Sequence, residues 1–184
     1  MENTFRIIPS VREMKYLKYA LSLENEYIQP TGAHIGSLQQ WITLCHQAGK
    51  KVVVNHELIG GLGNDKMAFQ MLKQMYHVDT VIGSSVTKLH MMKNLKMKTI
   101  YRISLVDSIS VQNAFKFIEE VKFNAIELRP YYHALELLPV FREVWQGDYY
   151  VAGFVNTREK MEQCKKAGFR GAMTSTRELW SLRL

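Results

Sequence analysis

Short apolar runs alternate with stretches of helical period from one end of this chain to the other, and no other feature restricts its fold as much. Parallel strands cannot be joined by tight turns; they need crossovers, and the helical stretches supply them. The expected strands are residues 7–9, 27–29, 51–55, 80–83, 98–103, 125–128, 149–152 and 171–174. Amphipathic helices are expected between and after them at 12–21, 37–48, 65–75, 86–94, 110–122, 134–144, 157–167 and 176–182. Dividing 184 residues among eight such units leaves about 23 each, enough for short loops, and no linker interrupts the series. The reading is α/β, a single domain over residues 1–184 folded as a small (β/α)8 barrel. The alternative is an open doubly wound parallel sheet in which 7–9 or 27–29 is not a strand. Two segments repeat a pattern that favours repeated units: Cys45-His46-Gln47-Ala48-Gly49 and Cys164-Lys165-Lys166-Ala167-Gly168. In each, glycine stands where a helix ends in left-handed backbone, and an apolar run follows within a few residues.

Composition excludes several classes. The chain is 47% apolar and 22% charged, as ordinary globular proteins are, with no run of about 20 apolar residues to span a bilayer. Its first residues show no basic start and apolar stretch of a secretory leader, so the cytoplasm is the expected location and no membrane partner is expected. Cys45 and Cys164 match no metal or redox spacing and read as small core residues. His34, His46, His77, His90 and His133 form no ligand set, and His56 reads as a loop histidine, so no metal and no cofactor is assigned. The net charge of +7 favours anionic partners. Lys93, Lys96 and Lys98, and again Lys165, Lys166 and Arg170, are candidate RNA contacts; solvated helix faces would account for them equally, because no aromatic-interleaved RNA motif accompanies them.

In either architecture the loops after the strands share one end of the sheet, so chemistry is sought there. Gly153 lets backbone approach an anion closely, and Thr174, Ser175 and Thr176 open the final helical stretch, whose amides would face a phosphate. Against this, Ser175 with Glu178 three residues on reads as a capping box that would satisfy those amides internally. Glu57 and Glu127 end apolar strands and are candidate acids or bases, or solvated or paired carboxylates. Arg102 inside a strand needs an acidic partner or a bound anion; it could pair with Asp107, which could instead cap a helix near Ser110. The segment Gly60-Gly61-Leu62-Gly63 lacks the spacing of a nucleotide-binding loop and reads as a flexible one.

Ordered along the chain, Ile8-Pro9-Ser10-Val11, Thr31-Gly32, Ala48-Gly49-Lys50-Lys51-Val52, Glu57-Leu58-Ile59-Gly60-Gly61-Leu62, Arg102, Asp107-Ser108, Ile126-Glu127-Leu128, Ala152-Gly153-Phe154, Lys166-Ala167-Gly168 and Thr174-Ser175 resemble the glycerol-3-phosphate-responsive antiterminators. The resemblance implies a (β/α)8 barrel, not an enzyme, that senses glycerol 3-phosphate and acts on the leader mRNA of a glycerol utilisation operon, with a homodimer as one possible assembly. It implies phosphate at Gly153, Thr174, Ser175 and Thr176, with Glu57, Arg102, Asp107 and Glu127 lining the rest of the pocket. The chain departs from the family pattern at Glu57 (aspartate), Ala152 (glycine), Ser85 (arginine) and Tyr131 (glycine), and Tyr131 is expected to narrow the mouth. The alternatives are an enzyme acting on a small phosphorylated metabolite, with Glu57 or Glu127 as base, and a divergent sensor barrel without RNA activity.

Overall fold

A computed structural model describes residues 4–184. Its eight strands, β1 (Arg6–Val11), β2 (Tyr27–Pro30), β3 (Lys51–Asn55), β4 (Thr80–Gly83), β5 (Lys98–Ser104), β6 (Ala125–Arg129), β7 (Tyr149–Ala152) and β8 (Gly171–Thr174), pair in parallel and in sequence order. The pairing of β1 with β8 closes the barrel, which rules out the open sheet. Both short runs that the open alternative would have discarded, in β1 and β2, are strands.

Alternation along each strand divides the core in two. Ile8, Val53, Ile82, Ile100, Tyr150 and Met173 fill the barrel interior. Their neighbours in sequence, among them Ile7, Val52, Val54, Val81, Tyr101 and Ala172, face the helices in a larger outer core. The crossovers are α1 (Leu17–Ser22), α2 (Ile35–Gln47), α3 (Lys66–Gln74), α4 (Val86–Asn94), α5 (Ser108–Glu120), α6 (Tyr131–Val144) and α7 (Arg158–Ala167).

Local chemistry sets where they begin and stop. Asp65 caps α3 through the amide of Ala68 (2.8 Å), Asp107 caps α5 through that of Ser110 (2.7 Å), and Ser85 and Thr157 open α4 and α7 in the same way. Gly168 ends α7 in left-handed backbone (φ 95°), and Gly49 follows α2 at φ 70°. Cys45 and Cys164 are both buried in the outer core, and burial pushes each thiol up to about 12.

Two expected helices differ. The stretch 12–21 opens with a 3-10 turn at Met14–Tyr16 before the short α1. The stretch 176–182 is no α-helix: a 3-10 turn spans Arg177–Leu179, and Trp180 turns into the core, its indole N–H donating to the carbonyl of Thr174 at 2.9 Å. Anchoring that bulky ring ends the helical path after one turn.

Candidate anion site at the carboxyl end of the barrel

The register of β5 and β6 sets Arg102 beside Glu127. Their side chains meet as a two-pronged pair, Nε to Oε1 at 2.8 Å and Nη2 to Oε2 at 3.0 Å. Glu127 is 0% exposed, and only the outer side of Arg102 reaches the open end. Arg102 thus has its acidic partner one strand away, and the pairing with Asp107 is not formed. Asp107 is instead an exposed cap of α5, joined to Ser110 in a capping box.

Above Arg102 opens a cavity of about 700 Å³, walled by the ends of β1, β2, β5, β6, β7 and β8. Its lining includes Ser10, Arg12, Gln29, Arg129, Gly153 and Ser175. Thr174 and Thr176 also line it, so all four residues expected to hold phosphate stand at one wall. Gly153 has φ 75°, a conformation that glycine adopts freely, and an added Cβ would meet Pro130 only at ordinary contact distance. The capping box expected between Ser175 and Glu178 is not formed, because the helix it would cap is absent. Thr174 takes over part of that role: its hydroxyl donates to the carbonyl of Val155 (2.7 Å) and accepts from the amide of Thr176 (3.1 Å). That amide is therefore already engaged, and Thr174 holds the β7 and β8 loops together.

Of the four residues expected to line the rest of the pocket, Arg102 does so and Glu127 supports it from beneath. Glu57 and Asp107 are not among the lining residues. The Glu57 carboxylate reaches sideways to the β4 loop, accepting from the amide and hydroxyl of Ser84 (2.8 and 2.7 Å) and from the amide of Ser85 (3.3 Å). Burial opposes its charge, but these donors and nearby His56 outweigh burial and lower its pKa. Ser85, standing where the family pattern has arginine, is occupied by this contact and by capping α4. Tyr131 does not narrow the mouth: it is buried, its hydroxyl donating to Gln163 of α7.

Two further arginines complete the wall: Arg129, which the carboxyl-end rule offers after the sixth strand, and Arg12, which the sequence reading did not single out. Arg12 and Arg129 are exposed, line the cavity and make no ion pair or side-chain hydrogen bond within the described residues. Arg129 stands on the last position of β6, whose inward-facing residues recur every second position from Ala125, so strand alternation alone would have placed it. Arg12 had no such signal. It is held by a close approach of loops, because a Cβ on Gly32 would lie 1.7 Å from the Arg12 carbonyl oxygen, and only glycine leaves room for it. Three arginines with one carboxylate among them leave this wall positively charged, the chemistry that suits an anion.

The six basic residues considered for RNA lie elsewhere. Lys93, Lys96 and Lys98 run from the end of α4 to the start of β5, and Lys165, Lys166 and Arg170 from the end of α7 to the start of β8, at the opposite end of the barrel. Lys93 donates to the carbonyl of Lys122, and Arg170 donates to that of Thr4 and stands 3.7 Å from the Asp148 carboxylate. Among the described residues no His, Cys, Asp and Glu group could hold a metal ion, and no helix is long and apolar enough to cross a membrane.

Known proteins share the fold. The chain is 24% identical over 176 residues to the uncharacterized protein YgcP of Escherichia coli strain K12, covering 96% of this chain and 92% of that one. Its fold is similar to the glycerol uptake operon antiterminator regulatory protein of Listeria monocytogenes (TM-score 0.87, 25% identity, 95% and 94% of the two chains covered). It is similar in fold also to a glycerol uptake operon antiterminator-related protein of Thermotoga maritima (TM-score 0.86, 22% identity, 97% and 99% covered). The family model described as glycerol-3-phosphate responsive antiterminator matches residues 7–180, nearly the whole barrel, and the chain belongs to that family.

Proposed function

We propose that this barrel is a sensor, not an enzyme, that binds glycerol 3-phosphate in the cavity at its carboxyl end and, when liganded, acts on the leader mRNA of a glycerol utilisation operon to prevent early termination. The observation that carries the reading is a pair of arginines, Arg12 and Arg129, without an ion-pair partner among the described residues, on the lining of a cavity that also contains Gly153 and Ser175. A phosphate monoester fits such a wall, because arginine forks match its oxygens and a side-chain-free residue lets backbone come close. Ser10 and Gln29, hydrogen-bonded to each other at 2.6 Å, stand on β1 and β2 within the same cavity and can meet the hydroxyls of a short polyol. The two carboxylates that an enzyme reading would use as bases are both committed, Glu127 to Arg102 and Glu57 to the β4 loop, which favours a binding role.

Thermal melting with millimolar glycerol 3-phosphate tests this, with glycerol and inorganic phosphate as controls. Ligand at about 100 times its dissociation constant adds roughly 2.7 kcal/mol, a rise of several degrees at about 2–4 °C per kcal/mol. A rise specific to glycerol 3-phosphate is expected. An equal rise with plain phosphate would leave an anion site without polyol recognition, and no rise would remove the reading.

A further inference from the structure

The carboxyl end carries a second feature at the lip of the anion cavity, where Phe154, itself a lining residue, reaches solvent. Phe154, Tyr132, Val106 and Ile109, all exposed, sit on the loops after β5 and β7 and in the first turns of α5 and α6; Phe154 is 69% and Tyr132 59% open to solvent. Phe154 also holds left-handed backbone (φ 63°) directly after Gly153, an uncommon state for a bulky residue. Its side chain is exposed at the lip of the cavity. The loops are tied together: the amide of Tyr131 donates to the carbonyl of Gly153 (3.0 Å), and that of Leu105 to the carbonyl of Arg129 (2.7 Å). Lys160 reaches across from α7, donating to the carbonyl of Phe154 (2.9 Å) while lying 5.1 Å from the centre of the Tyr132 ring. Asp107 on this rim is engaged in capping α5, and on α7 Glu159 accepts from Gln163 (3.4 Å) while Glu162 pairs with Arg158 (2.8 Å).

Exposed rings flanked by cations are what a single-stranded nucleic acid needs, since each base offers a flat face to stack and each linkage a charge to neutralise. In an RNA duplex the faces are hidden in the stack and the deep groove excludes side chains. We propose that single-stranded RNA docks on this rim, with bases on Phe154 and Tyr132 and the backbone phosphate on Lys160, Arg129 being left to the ligand; the proposal rests on the sensor reading for the identity of its partner. The six strand-start cations form the competing surface. The rim is favoured because Gly153, at the anion wall, and Phe154, at the platform, are consecutive residues of one loop. An anion that orders this loop orders the platform with it, so ligand and RNA each raise the other's affinity by the same factor.

The test is fluorescence of a mixed-sequence single-stranded RNA of about 16 nucleotides carrying 2-aminopurine, a length one such groove can hold, titrated with and without glycerol 3-phosphate. Binding with quenching of the 2-aminopurine is expected. Tyr132→Ala should weaken binding about tenfold and reduce quenching, in the range found for loss of one stacked base, while leaving the glycerol 3-phosphate melting shift intact. Phe154→Asn, which tolerates left-handed backbone, should weaken RNA binding by a similar factor. Full RNA affinity in both variants, with loss in Lys165→Glu/Lys166→Glu, would overturn the rim and move the interface to the strand-start end. Absence of RNA binding by the natural chain would also overturn it, and the melting shift would still decide the ligand reading separately. RNA binding at the rim that ignores glycerol 3-phosphate would support the surface and remove the gating.

Discussion

The two ends of the barrel both carry positive charge, and they use it differently. At the strand-start end many of the cations are employed in holding the chain. Arg6 and Lys51 share Glu26 (3.4 and 2.7 Å), Lys50 donates to the carbonyl of Leu23, Arg142 to that of Gly168, and Arg170 leans on Asp148. At the carboxyl end Arg12 and Arg129, which make no ion pair or side-chain hydrogen bond among the described residues, line one cavity; Lys96, Lys98, Lys165 and Lys166 are likewise unpaired among those residues but stand on helix and strand ends at the other side. Net charge in the sequence counts both kinds alike; what distinguishes the carboxyl end is left-over charge gathered around one cavity. The same division between a stabilising end and a working end is general in this architecture.

Substitutions can break or sharpen that contrast. The largest effect is expected at the floor of the working end. Glu127→Leu leaves the Arg102 charge buried without its partner and should cost about 3–5 kcal/mol in urea unfolding. Adding Arg102→Met should recover much of the loss, and a cost near zero for the single change would mean that the pair does not hold the floor.

Next comes acid sensitivity. The His56 side chain is buried, with neither ring nitrogen bonded among the described residues, and burial lowers its pKa to about 4. Between the ordinary imidazole range and about 4, the unfolded chain binds a proton that the folded one refuses, so stability falls as pH falls through that window, by up to about 3 kcal/mol. His56→Leu should flatten this limb in denaturation profiles. Glu57, whose pKa is lowered, contributes stability above its unfolded pKa that is lost as pH drops through the folded value, so Glu57→Gln should remove a further acid limb.

A smaller stability effect is expected at Gly153→Ala. The added methyl meets no obstacle, but the left-handed backbone costs about 1–2 kcal/mol, and the glycerol 3-phosphate melting shift should shrink as well. Smallest of all, Arg129→Ala and Lys165→Glu/Lys166→Glu should each change stability by no more than about 0.5 kcal/mol. Only Arg129→Ala should abolish the ligand shift. Equal ligand shifts in those last two variants would erase the distinction between the ends.

Much of this was legible in the sequence because parallel strands buried on both faces read as apolar runs, and eight of them at short spacing leave few folds. The carboxyl-end rule then placed Gly153, Arg102, Glu127 and Arg129 at one end. The partner of Arg102 was not legible, since strand register decides between Glu127 and Asp107 and register is not written in composition. Arg12 escaped notice for a similar reason: its position follows from Gly32 passing against its carbonyl, a contact between loops. The final helix was misread because the pattern of residues 176–182 suits a helix until Trp180 is required by the core. Tyr131 looked like a rim residue, and the start of α6 turns it inward.

The plugged interior has a kinetic consequence. Ile8, Val53, Ile100 and Met173 stop the barrel like a cork, so anything in the upper cavity has one door. With RNA laid over Phe154 and Tyr132, that door is covered, and an effector that entered first must leave last. Its dwell time would then be set by how quickly the transcript lets go, and a brief pulse of metabolite would be remembered for as long as the message stays in place.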